Sequence, residues 1–249
     1  MPDYLAAMEK RFIDARWAPV DSGPGHSPLV AVLTTKLEVH LYNAQASAFT
    51  GPWKHLGDLR GYEPSAREIF SIAWLPSDEE HQADKGPSTQ CILVAATRSG
   101  EVCLFRFETN DGVLSLPYFE RIKLCDEPIR ALVSEPRWVH DGRHRMRINI
   151  AAATSASVFA ASLVRNSIQT QSGLQVERVT EVGEDNVVGL IKWEGPYLLW
   201  TTPGQVHMHN RDYDGKKSWS ACLRSSREEY GNPLLPATGT RLVRTPLSL

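Results

Sequence analysis

The 249-residue chain is 42% hydrophobic and 22% charged, with 17 Gly and 16 Pro, a balance that supports a sizeable buried core and excludes disorder throughout. Its formal net charge of -2 gives no global attraction to nucleic acid or to an anionic membrane, so any such binding would need a local patch. The four cysteines include no C-x-x-C pair, which argues against a disulfide framework or zinc site, and no apolar run is long enough to span a bilayer as a helix.

Residues 1–11, MPDYLAAMEKR, lack the apolar region of a secretory signal and read as a short extension of an intracellular chain. IDARWAP follows, a strand pattern closed by Trp17 and then Pro19, where a strand end needs no ladder donor. The segment from Ser22 to His26 has neither a following lysine nor a spaced third glycine, so it reads as a turn rather than a phosphate-binding loop. AVLTTKLEVHLYN predicts a hairpin with Val39 just past its turn, and PWKHLGDL a further strand.

The same succession then returns. IFSIAWLP with Trp74 precedes CILVAATRSGEVCLFRFE, whose apolar runs flank a Ser-Gly turn before Val102, and LPYFERIKL follows. IRALVSEP precedes ATSASVFAAS with Val158 and then LQVERVTEV; VVGLIKWEGP with Trp193 precedes WTTPGQVHMHN with Val206 and then SWSACLRS. A threonine stands five residues before the anchor valine in three copies (Thr34, Thr97, Thr201) and four before it in the other (Thr154).

Four strands per unit and four units, with anchor valines 63, 56 and 48 residues apart, near the roughly forty-to-fifty-residue period of propeller blades, predict an all-β chain: a β-propeller of WD-repeat type with about four recognisable blades in an incomplete ring. A β-sandwich has similar strand spacing but no reason to repeat this order. The blades are expected at about 12–60, 69–125, 129–182 and 187–225, with 226–249 an irregular tail or the start of a further blade. Trp17, Val39, Trp74, Val102, Val158, Trp193 and Val206 are the expected blade-core positions. The repeat is degenerate, since no blade carries the W-D dipeptide, and the third is Ala-rich.

Chemistry-bearing patterns are sparse. His207 and His209 alternate on a strand and would face one side, but no third ligand stands at metal spacing, so two solvent-facing histidines are the simpler reading. No nucleophile elbow occurs, and the acidic run Asp78-Glu79-Glu80 reads as a solvated loop. Neither catalytic residues nor a cofactor, metal or small-molecule substrate is expected. The one concentrated positive segment holds Arg137, Trp138, His140, Arg143, His144, Arg145 and Arg147, read as an inter-strand loop that either contacts phosphate or an acidic partner or is simply solvated.

The order of elements in the first two units, ARWAP, LVAVLTTKLEVHLYNA, PWKHLGDL, IFSIAWLP and CILVAATRSGEVCLFRFE, resembles the N-terminal propeller of the delta-type WD-repeat subunit of transcription factor IIIC. That family's W-x-P element, L-L-A-V-L-T strand, V-x-L-Y strand and W-containing strand ending in D-L correspond to Trp17 and Pro19, Leu29 to Thr34, Val39 to Tyr42, and Trp53 to Leu59. The match covers about 12–108, and 129–224 only as propeller pattern. A blade before the W-x-P element and a C-terminal zinc-binding part, both in the family pattern, are not seen here, which implies a fragment or a short member.

The resemblance implies a nuclear, non-catalytic scaffold that supports assembly on internal promoters and RNA polymerase III transcription of transfer-RNA genes. Its partners would be other transcription factor IIIC subunits, with indirect or weak DNA contact and no membrane. The acetyltransferase activity attributed to some members finds no matching residues here. A WD-type adaptor of another intracellular complex, and an enzyme using the propeller funnel, are the alternative expectations.

Overall fold

A computed structural model describes residues 10–20, 22–45, 49, 51–76, 89–110, 113–140, 145–166, 174–183, 190–211, 218–224 and 241–245. The acidic run at 78–80, Arg143 and His144 lie outside them. Four antiparallel sheets follow one another along the chain. The first is β1 (Phe12–Trp17), β2 (Leu29–Thr34), β3 (Val39–Ala44) and β4 (Trp53–Asp58); the second is β5 (Ile69–Trp74), β6 (Thr89–Thr97), β7 (Glu101–Asn110) and β8 (Val113–Lys123). In the third, β9 (Ala131–Ser134) and β10 (Val139–His140) both pair with β11 (Arg145–Ala153), which continues to β12 (Val158–Asn166) and β13 (Gln175–Gly183). The fourth runs β14 (Ile191–Glu194), β15 (Tyr197–Thr202), β16 (Gln205–Asn210), β17 (Ser218–Arg224) and β18 (Arg241–Thr245).

The opening strands pack in series, β1 on β5, β5 on β9 and β9 on β14, so the sheets radiate from a common inner edge as blades. Among the described residues no packing of similar extent joins β14 back to β1. The chain is thus a four-bladed β-propeller, and each anchor valine lies at the start of the third strand of its blade.

Alternation explains why the blade-centre strands read as unbroken apolar runs. A side chain on a strand faces the blade before or the blade after, and both are protein. In β6 and β7, Cys91, Leu93, Ala95, Cys103, Phe105 and Phe107 face the first blade, while Ile92, Val94, Ala96, Val102 and Leu104 face the third. Burial pushes the thiol of Cys91 up to about 12 and that of Cys103 up to about 11, so both behave as small apolar groups.

The alanines of the third blade are a fit to its neighbour. Ala151 and Ala153, fully buried, pack against Trp193 and Trp200 of the fourth blade, and a Cβ on Gly183 would meet Trp200 Cζ2 at 2.7 Å. Small side chains leave the room that two indoles fill.

In the second and third blades the threonine before the anchor valine has a physical role, whereas the Thr34 hydroxyl of the first blade is buried without a hydrogen-bond partner. Thr97 Oγ1 accepts from the Glu101 N–H at 3.2 Å and donates to its carbonyl at 3.1 Å, and Thr154 Oγ1 accepts from the N–H groups of Ala156 and Ser157 at 3.1 and 2.9 Å. These bonds pin the hairpin turns. Gly100, at φ 78°, sits where a Cβ would lie 2.2 Å from the Cys125 carbonyl oxygen, so the second blade's turn admits no larger residue.

Four features differ from the sequence reading. Residues 241–245, read as tail or a new blade, extend the fourth sheet by pairing β18 with β17. The helical turn α1 (Leu59–Tyr62) follows β4, capped by Asp58, whose carboxylate accepts from the Gly61 N–H at 2.9 Å. Trp17 is 54% exposed rather than core, because β1 is the first strand of the first blade and no described blade precedes it; Val206 is half-buried because its face of the fourth sheet points away from the third blade. Val39, Trp74, Val102, Val158 and Trp193 are buried.

Candidate functional site

The prolines that close the opening strands meet in space. Trp17-Ala18-Pro19, Trp74-Leu75-Pro76 and Ser134-Glu135-Pro136 line one cleft of about 360 Å³ at the inner ends of the first three blades. Trp74 Nε1 donates to the Arg16 carbonyl at 2.9 Å and Ser134 Oγ to the Trp74 carbonyl at 3.0 Å, so each blade end is tied to the next. Beside the cleft, Trp17 leans on Trp53 with ring centroids 5.4 Å apart, and Phe12 meets Tyr42 edge-on at 6.5 Å. Phe12 (68%), Trp17 (54%) and Trp53 (40%) remain exposed, a concentration of aromatic surface that the inner blades do not leave open.

The basic segment is not a loop. Its second half is strand β11, paired back to β10, and alternation sends its residues to opposite faces. Trp138 packs into the interface of the second and third blades, where its Nε1 donates to the Pro76 carbonyl at 2.8 Å and the Arg165 guanidinium lies 5.0 Å over its ring. Arg145 and Arg147 take the other face, with Arg145 bonded to Glu177 Oε1 at 2.8 Å. Arg137 and His140 are exposed. The segment therefore presents no single positive patch among the described residues.

Arg147 instead joins a second cleft, of about 330 Å³, between the third and fourth blades. Arg178, Arg211, His209, Trp193 and Ser162 line it with Arg147. The two strand histidines face this interface and are buried, contrary to the solvent-facing reading. His207 stacks on Trp200 at 5.2 Å and shares a 2.7 Å hydrogen bond with Thr202 Oγ1. Among the described residues no group of three His, Cys, Asp or Glu side chains has metal-binding geometry.

Adjacent to this cleft lies a link that sequence reading missed. Glu135, 1% exposed, accepts from the backbone N–H and the Nδ2 of Asn149, each at 2.9 Å, and is ion-paired with Arg211 from the fourth blade. The partners are 76 residues apart, and nothing in an S-E-P tripeptide announces a buried carboxylate.

Burial lowers the pKa of His209 below 6.5, with Arg178 adding repulsion; burial likewise lowers that of His40, with Lys10 and His55 adding repulsion and Glu38 opposing. As pH falls through 6.5 the unfolded chain takes up these protons first, so stability falls on acidification. Thermal melts between pH 7.5 and 5 should show a falling Tm, with the slope reduced in His209→Gln. The Glu38 carboxyl is desolvated by burial, but its bonds and charges from Lys10, Arg60 and His40 prevail and hold its pKa below 4.5, so its loss comes only at lower pH. A flat profile from 7.5 to 5 would contradict this.

The fold and these clefts define a propeller domain. No family model matches the chain, and no curated protein does. Among solved structures, the Vanderwaltozyma polyspora Nup133 β-propeller domain is similar at 12% identity and a TM-score of 0.42, over 96% of this chain and 64% of that one. The WD40 domain of SCAP from fission yeast is similar at 14% identity and a TM-score of 0.37, over 96% of this chain and 67% of that one. Saccharomyces cerevisiae Sqt1 follows at 12% identity and 0.26, over 87% and 84%. The chain thus spans less than two thirds of the Nup133 propeller, and the blade assignment stands on the sheets themselves.

Proposed function

We propose that the chain is a non-catalytic propeller scaffold, and that it serves a transcription factor IIIC assembly in the nucleus, supporting RNA polymerase III transcription of transfer-RNA genes. The observation that carries the scaffold reading is the aromatic surface of the first blade, with Phe12, Trp17 and Trp53 exposed on a sheet face whose counterparts in the other blades are covered by a neighbouring blade. A neighbouring subunit of the assembly is its proposed cover. What supports the particular assembly is the order of motifs in the first two blades. In the first blade its W-x-P element closes β1, L-V-A-V-L-T is β2, V-x-L-Y opens β3, and D-L ends β4 and opens the helical turn.

The test is the double variant Trp17→Ser, Trp53→Ser. Exposed positions away from buried features change stability by about 0.5 kcal/mol or less, so its melting should match the parent. Tryptophan anchors at interfaces contribute about 2 kcal/mol or more each, so capture of transcription factor IIIC subunits should drop at least about tenfold. Unchanged capture with intact folding would contradict the docking role of this face.

A further inference from the structure

Each seam between blades in this chain has two unlike halves. The later blade supplies aromatic rings: Phe105 and Phe107 in the first seam, Trp138 in the second, Trp193 and Trp200 in the third. Among the described residues, the central strands of the earlier blade meet them with aliphatic side chains alone, such as Leu33 and Leu41, Val94 and Leu104, and Ala151 and Ala153. Rings are seated where the facing strands carry no rings of their own, which is how bulk is matched across a close-packed interface.

The two ends of the arc hold one half each. Phe12, Trp17, Tyr42 and Trp53 share the outer face of the first blade: Trp17 and Tyr42 both pair with Val30, Trp53 pairs with Ala44 two residues along from Tyr42, and Phe12 meets Tyr42 edge-on. Leu29, Leu33 and Leu41 point the other way, into the first seam. This outer face is the ring-bearing half, and no described blade precedes it. On the fourth blade, Leu198 and Trp200 face the third, so alternation sends Leu199, Val206 and Met208 to the far side, with Leu199 opposite Met208 and Val206 opposite Thr201. These three are half-buried, Tyr197 stands at the margin of the same row, and no described blade follows. The far side is the aliphatic half.

We propose that the aromatic face of the first blade takes the far face of the fourth blade of a second copy, so that two four-bladed chains join head to tail and close one ring of eight blades. The contact is heterologous, and because each copy carries both halves, two such contacts close the pair. Eight blades lie within the range of about four to eight that propellers adopt. An isologous contact of aromatic face on aromatic face fits less well, since it would set ring against ring where all three seams of the chain set rings against aliphatic strands. A neighbouring subunit that docks on the first blade competes with the second copy for this face.

The test is sedimentation equilibrium of the whole purified chain over a range of concentrations. The parent is expected to pass from monomer to dimer and to go no further. Trp17→Ser with Trp53→Ser removes one half of the seam and Met208→Ser the other, and each should weaken the dimer at least about tenfold. Mixed in equal amounts, the two variants should recover a heterodimer, weaker than the parent dimer and stronger than either variant alone, because the intact fourth blade of one still meets the intact first blade of the other. Val206→Thr, a smaller change on the same face, replaces Met208→Ser if that variant fails to fold. A parent that stays monomeric at every concentration, one that grows beyond the dimer, or a mixture that behaves as the two variants do separately would each overturn the proposal. Because dimerisation raises the melting temperature with concentration, parent and variants are compared for folding where all sediment as monomers. The measurement contains no assembly subunit, so its failure leaves the scaffold reading standing, and failure of subunit capture leaves the self-association standing.

Discussion

Phe105→Ala is expected to cost about 3–5 kcal/mol and to lower the melting temperature more than any exposed substitution. Phe105 is fully buried between the first and second blades, stacked with Phe107 at 6.4 Å and tilted against Phe119 at 5.0 Å. Both neighbours are held on strands of the same sheet, so they cannot close over the space a methyl group would leave. Because marginal domains have only about 5–15 kcal/mol in hand, this one change should leave a large unfolded fraction at 37 °C. Chemical denaturation read by tryptophan fluorescence measures it, and a loss under about 1 kcal/mol would mean that the first two blades are not packed as described.

Glu135→Ala is the second large effect, acting through charge rather than volume. It removes the acceptor for two donors of Asn149 and for Arg211, joining β9, β11 and the end of β16. Breaking a buried ion pair by deleting one partner costs about 3–5 kcal/mol, and the partial exposure of Arg211 places this case near the lower end. Arg211→Gln should also destabilise, since it leaves the carboxylate buried with Asn149 alone. The double variant should cost less than the sum of the two, a coupling that a double-mutant cycle reads directly. Additive losses would show that the two side chains do not act as a pair.

What was legible in the sequence was whatever recurs locally. The order strand, proline, hairpin, strand is periodic because each blade solves the same packing problem, and a threonine recurs before the anchor valine, where in the second and third blades its hydroxyl pins the turn. Facing was not legible. His207 and His209 alternate as any half-exposed strand pair does, and only the docking of the fourth blade on the third decides that their side is the covered one. The same limit hid the division of the basic segment, where Trp138 goes to one interface and Arg147 to the other. An Asp-Gly pair at 141–142 between Val139-His140 and the β11 residues is the hairpin signal that would have replaced the loop reading. For Glu135 and Arg211 no local signal exists, since their partnership is created by blade stacking.

Affinity purification of the tagged chain from nuclear extract, run beside the Trp17→Ser, Trp53→Ser variant, tests the scaffold proposal most directly. The proposal predicts that the other transcription factor IIIC subunits co-purify with the parent chain in stoichiometric amounts and are lost with the variant, while both proteins melt alike. Recovery of a different complex, or of transcription factor IIIC subunits equally with both chains, would contradict it.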